Sequence, residues 1–198
     1  MAIQLVDDYA AADAGGKVDI ICRNYPSFLG MLDSRIEGLV YTIETDRACS
    51  RHSDRGALGV RVQTSGTSDP TANTGISETM TRDALRTCDF SSGVLEGTEN
   101  EIDYMYEAYV IRDMRKAYFL FNTQMCILKP KEKALFTSYI NGAKDAAEIA
   151  DELGITQESA RLKIHRAKKK VKLSMLHCMQ TKDRRDGKCR QEKQISLM

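Results

Sequence analysis

The side chains with usable chemistry in this 198-residue chain are six cysteines, three histidines and one dense run of cations. Residues 161–172 hold seven Lys or Arg and no acid. That pattern suits a polyanion whose charges repeat along a line, such as the phosphates of a duplex. The cysteines, Cys22, Cys49, Cys88, Cys126, Cys178 and Cys189, form no C-x-x-C pair. Ligand types cluster only at Cys49 with His52 and at His177–Cys178 with Cys189, and neither set offers four ligands at a zinc spacing. Reduced thiols, buried as small hydrophobes, are the expectation. There is no Gly-rich phosphate loop, no H-E-x-x-H and no G-x-S-x-G, and a pair such as Asp7–Asp8 reads as helix surface. The sequence therefore predicts no catalytic residue, no metal and no cofactor. It reads as a binding protein and not an enzyme.

The net charge of +1 hides an asymmetry. Residues 1–128 carry 12 basic and 19 acidic side chains, net −7, while residues 129–198 carry 17 and 9, net +8. An acidic front and a basic rear point to a polyanionic partner for the rear alone. Apolar residues make up 42% and charged residues 29%, the balance of a folded globular chain. No apolar run nears the roughly 20 residues of a membrane span. The opening MAIQLVDDYAAADAGG lacks the basic and apolar parts of a secretory signal. A cytoplasmic protein with no membrane partner is expected.

The cations need a scaffold, and the apolar periodicity is helical nearly throughout. An amphipathic opening (Ile3, Val6, Tyr9, Ala10) runs to a break at Gly15–Gly16. A second helix starts near Pro26, where Phe28, Leu32, Ile36, Leu39 and Ile43 share one face at spacings of 4, 4, 3 and 4. Residues 46–68 lose the pattern and are predicted to form a flexible loop. Asp69 as N-cap with Pro70 at the first helical position predicts a helix to about Thr87. Thr98 and Glu101 then form the T-x-x-E of a capping box. They open a long helix with a stripe of Ile102, Tyr106, Tyr109, Met114, Ala117, Phe121 and Met125. Its aromatic residues suit helix packing better than a stacking platform for bases. The expectation is an all-α chain in four parts: an acidic helical region over 1–97, a connecting helix over 98–127, a helix-turn-helix domain over 128–176 and a charged, mobile tail over 177–198.

In the third part, Pro130 opens a helix with Leu135, Phe136, Tyr139 and Ile140, and Gly142 closes it. A short helix follows with Ala146, Ile149, Ala150 and Leu153 inward. Gly154 supplies the positive φ of a tight corner, and Thr156 caps a third helix from Gln157. Ala150 is small because the third helix crosses over it, and Ile149, Leu153 and Ile155 are expected to wedge between the two. Ala160, Ile164, Ala167 and Val171, spaced 4, 3 and 4, form the buried stripe of the third helix. Gln157, Glu158, Arg161, Leu162 and His165 are left on an outward strip, flanked by Lys163, Arg166, Lys168, Lys169, Lys170 and Lys172. A helix with this layout suits the major groove of double-stranded DNA.

The stretches EIADELGIT, SA and IHRAKKKV, preceded by LKPKE, resemble region 4 of sigma-70-like bacterial sigma factors, above all the extracytoplasmic-function type. The resemblance covers about 45 residues. It implies that Thr156, Gln157, Glu158, Arg161, Leu162, Lys163, His165, Arg166, Lys168, Lys169 and Lys170 contact DNA, with base-edge reading by Gln157, Glu158, Arg161 and Leu162. Arg161 suits a guanine and Glu158 a cytosine amino group, while Leu162 departs from the usual polar residue and meets a thymine methyl or no base at all. The acidic front shows no promoter-melting helix. NYPSFLGMLDSRIEGL (residues 24–39) and VQTSGTSDPTAN (residues 62–73) are similar instead to phage and prophage late-gene transcriptional activators of the RinA/ArpU type. The resemblance implies a transcription regulator acting in a bacterial or phage-infected cell. RNA polymerase, and a second copy joined through the N-terminal and long helices, are further candidate partners. The alternatives are a phage small terminase subunit and a sigma-region-4 mimic that binds polymerase.

Overall fold

A computed structural model of the protein places the backbone of residues 2–55 and 70–195 and the side chains of residues 4–49 and 75–179. Among the described residues the chain is all-α, as expected, with no strand. The helices are α1 (Ala2–Ala11), α2 (Ala14–Asn24), α3 (Phe28–Arg55), α4 (Pro70–Thr87), α5 (Glu101–Gln124), α6 (Pro130–Ile140), α7 (Ala146–Leu153) and α8 (Gln157–Ile195), with a 3-10 turn at Met125–Ile127. They form two compact units, one of Met1–Ala10 with Leu29–Arg115 and one of Ala11–Phe28 with Lys116–Met198. The division is discontinuous in sequence.

In the first unit, Leu32, Ile36, Leu39 and Ile43 are all buried on one face of α3, as their spacing predicts. The helix does not stop at residue 46. It continues to Arg55, so the first part of the expected loop is helical, and residues 56–68 lie outside the described residues. Ties to other helices hold the stretch just past 45: Tyr104 of α5 donates its hydroxyl proton to Asp46, and Arg47 donates to Ser77 and Thr81 of α4, each at 3.1 Å. Glu44 completes that network, taking Arg47 at 2.6 Å and the Ser77 and Thr81 hydroxyls at 3.0 Å each. Thr81 is fully buried, and these bonds satisfy it. α4 begins at Pro70 and ends at Thr87 as predicted, while its expected cap Asp69 is not described.

Two expectations for α5 fail. Thr98 does not cap it: its hydroxyl donates to the Leu95 carbonyl at 2.7 Å, and the Asn100 carbonyl takes the first helical bond, from Tyr104, at 3.0 Å. Nor does the front of the predicted stripe point inward. Tyr104, Ala108, Ile111 and Met114 are buried, whereas Ile102 (81% exposed), Tyr106 and Tyr109 face outward. Two apolar strips compete on this helix. The bond from Tyr104 to Asp46 and the pairing of Glu107 with Arg35 turn the 104–108–111 strip to the core.

In the second unit, Gly15 and Gly16 lie inside the first turn of α2 instead of breaking the chain. The break is Ala12–Asp13, and the Asp13 carboxylate caps α2 by accepting from the Gly16 amide at 2.7 Å. Phe28 stacks on Tyr118 with ring centroids 5.5 Å apart, and Phe121, Met125 and Leu128 are buried. α8 packs on α2, α6, α7 and the 3-10 turn. It then runs on to Ile195, so residues 177–195, expected as an unpatterned tail, have a helical backbone.

Candidate nucleic-acid interface

Local signals set every boundary around the basic run. Pro130 occupies the first turn of α6, where a missing amide costs nothing, and Gly142 ends it at φ +68°. α7 opens with a reciprocal cap that the sequence reading missed. The Asp145 carboxylate accepts from the Ala147 and Glu148 amides at 2.8 Å, and the Glu148 side chain accepts from the Asp145 amide at 2.8 Å. The D-x-x-E spelling of residues 145–148 was the signal for it. Gly154 closes α7 in the left-handed conformation, φ +63° and ψ 36°. Thr156 then begins α8, its hydroxyl accepting from the Ser159 amide at 3.3 Å.

The crossing of α7 and α8 is made of small and branched apolar residues. Ile149, Ala150, Ala160, Ile164, Ala167 and Val171 are buried as predicted, and Met175 extends the stripe by one turn. The wedge is smaller than expected. Leu153 is 48% exposed and Ile155 half-buried, which leaves Ile149 as its buried member. On α6, Phe136 and Ile140 are buried, while Tyr139 is exposed and Leu135 half-buried.

With the stripe inward, the other side chains of α8 fall into three strips at about 100° per residue. Glu158, Leu162, His165 and Lys169 run along the middle, all exposed. Gln157, Arg161, Lys168 and Lys172 lie on one flank, and Lys163, Arg166 and Lys170 on the other. Thr156 is exposed at the N-terminal end. An open cleft of about 580 Å³ lies against the first flank, lined by Tyr139, Asp145, Gln157, Arg161, His165 and Lys168 among others.

The flanks are not uniformly open. Asp19 of α2 pairs with both Lys168 at 2.8 Å and Lys172 at 2.6 Å, and Glu132 of α6 pairs with Lys170 at 3.0 Å. Partial burial works against ionisation of Asp19. The two lysine hydrogen bonds outweigh it and hold that carboxyl below its ordinary value. The Lys170 hydrogen bond likewise holds Glu132 low. Arg161, Lys163, Arg166 and Lys169 have no ion pair among the described residues, so four of the seven cations are open to an incoming anion. Beneath the first flank, burial pushes the Cys22 thiol up to about 11, as suits a thiol used for packing.

Among the described residues no three of His, Cys, Asp or Glu come together as a metal site, and no helix is long and apolar enough to cross a membrane. The expected burial of the thiols does not hold, since Cys49 and Cys126 are exposed and Cys22, Cys88 and Cys178 only half-buried, while the side chains of His52 and Cys189 lie outside the described residues. The chain matches no protein-family model, no curated protein and no solved structure.

Proposed function

We propose that the protein is a sequence-specific double-stranded-DNA-binding transcription regulator, of the phage or integrated-element kind. It uses α7 and α8 as a helix-turn-helix, with the N-terminal half of α8 in the major groove. One observation carries this reading. The acid-free run of cations coincides with the solvent face of a helix that follows a left-handed glycine corner and crosses its predecessor over alanines. A merely solvated helix needs neither the tight crossing nor cations on both flanks of an uncharged-to-mixed middle strip. In this reading Glu158, Arg161 and Leu162 face base edges, while Lys163, Arg166 and Lys169 face phosphates.

The test is selection of bound duplexes from a random library, followed by titration on the selected and a scrambled duplex. With Lys163, Arg166 and Lys169 on phosphates, log K against log salt has an expected slope of about −2.7, at about −0.9 per phosphate neutralised. Arg161→Ala is expected to cost about 1–3 kcal/mol on the selected duplex and to relax the choice at one base pair. Lys169→Ala is expected to weaken both duplexes alike. Equal losses on both duplexes for Arg161→Ala would remove base reading from the proposal. Failure of the wild-type protein to bind any duplex at low salt would remove DNA.

A further inference from the structure

We infer that Asp19 is an internal stand-in for a DNA phosphate, occupying Lys168 and Lys172 and so limiting how strongly α8 grips DNA irrespective of sequence. The inference rests on the DNA-binding reading above and names a control on the same surface. Its basis is geometric. Lys168 and Lys172 are one helical turn apart on one flank of α8, and their ammonium groups converge on the two oxygens of a single carboxylate, at 2.8 and 2.6 Å. Two cations spaced along a groove-facing helix and closed on one anion reproduce what a backbone phosphate would accept from them. Asp19 belongs to α2, which packs on α8, so the anion is fixed in place by Val18 and Ile21 buried on either side of it in sequence.

Gly15 gives the contact room. A Cβ at that position would stand 3.3 Å from Lys172 Cε and 3.5 Å from its Nζ, so the bare first turn of α2 leaves the lysine stem its path to Asp19. The two lysine side chains remain about a third exposed, open enough for a competing anion to reach them. Phosphate contacts carry no sequence information. Masking two of them lowers binding to all DNA and leaves the base-reading strip untouched.

The experiment compares wild type with Asp19→Asn by fluorescence anisotropy on a labelled random-sequence duplex, across a salt series. Asp19→Asn is expected to bind about tenfold more tightly at about 0.1 M salt, with a slope steeper by one to two units. In a Lys168→Gln/Lys172→Gln background the same substitution is expected to change nothing, and a circular-dichroism melt checks that each variant folds. Equal or weaker binding by Asp19→Asn while wild type binds overturns the inference, since Asp19 would then be neutral or would aim the lysines at phosphate. Elution from heparin separates this from failure of the DNA reading. If wild type binds no duplex, that reading falls, and a heparin elution salt unmoved by Asp19→Asn overturns the masking itself.

Discussion

In the unit of residues 1–10 and 29–115, the described ion pairs run through arginine: Arg35, Arg47, Arg82, Arg86 and Arg115 meet Glu107, Glu44, Glu37 and Asp33. In the unit of residues 11–28 and 116–198 they run through lysine, with Lys144, Lys168, Lys170 and Lys172 meeting Glu152, Asp19 and Glu132. The difference is mechanical. Arg35 engages both oxygens of Glu107, and Arg82 both oxygens of Glu37, so a planar fork fixes the distance and rotation of two helices at once. A lysine ammonium is a hydrated point charge that accepts a new anion without changing its geometry. Arginine in the first unit is architecture. Lysine in the second is exchangeable, as the proposed trade of Asp19 for a phosphate requires.

Five substitutions or conditions break or sharpen that contrast. The largest effect is expected where neither ion pair acts, at the apolar crossing of the second unit. Ala150 is 3% exposed, and Ala150→Glu is expected to cost about 3 kcal/mol or more, read by urea unfolding, because a charge enters a packed helix crossing without a partner. Next comes the first unit's network. Arg47→Ala takes the only cation from Glu44's described partners and is expected to cost about 2 kcal/mol by the same measurement. If it costs nothing, the arginine ties are decoration.

Gly154→Val is expected to cost about 1–2 kcal/mol. A Cβ there meets nothing within 4 Å, so the cost is expected to come from the left-handed conformation and not from crowding at that carbon. Acid is expected to act more gently. The carboxyls of Asp19, Glu37 and Glu132 are held below their ordinary values by Lys168 and Lys172, by Arg82 and by Lys170. A lowered native pKa means the unfolded chain binds the proton first. Their contribution is therefore complete above the ordinary carboxylate range and disappears as pH falls through the lowered values, as melting temperature against pH should show. The smallest effect belongs to the lysine side. Lys170→Ala is expected to leave the urea unfolding midpoint essentially unmoved, since both partners are well exposed.

The expectations that held were those written in neighbouring residues. Pro130, Gly142, Gly154 and Thr156 each act within one turn, and Ala150, Ala160 and Ala167 show where helices approach closely, so α6, α7 and the start of α8 were legible almost to the residue. What failed depends on partners far along the chain. α5 carries two plausible apolar strips, and the choice between them is made by Asp46 and Arg35, which no periodicity in α5 can reveal. The helix past residue 45 survives without an apolar stripe because Asp46 and Arg47 are tied to α5 and α4. At the candidate site the cations were readable as a run. That three of them already hold carboxylates was not, because Asp19 lies 153 residues from Lys172.

That separation has a consequence for synthesis on the ribosome. α2 is made long before the helix it packs against. Until α8 arrives, α2, whose Val18 and Ile21 are fully buried in the finished protein, lacks the helix it packs against. Closing so long a loop is slow and leaves the nascent chain open to misassociation while it waits. Trimming the chain from its front end has a matching cost. A fragment beginning at residue 128 retains every signal of the helix-turn-helix pattern but leaves bare the part of α8 that α2 covers, and such a fragment is expected to be stickier and less stable than its parsing promises.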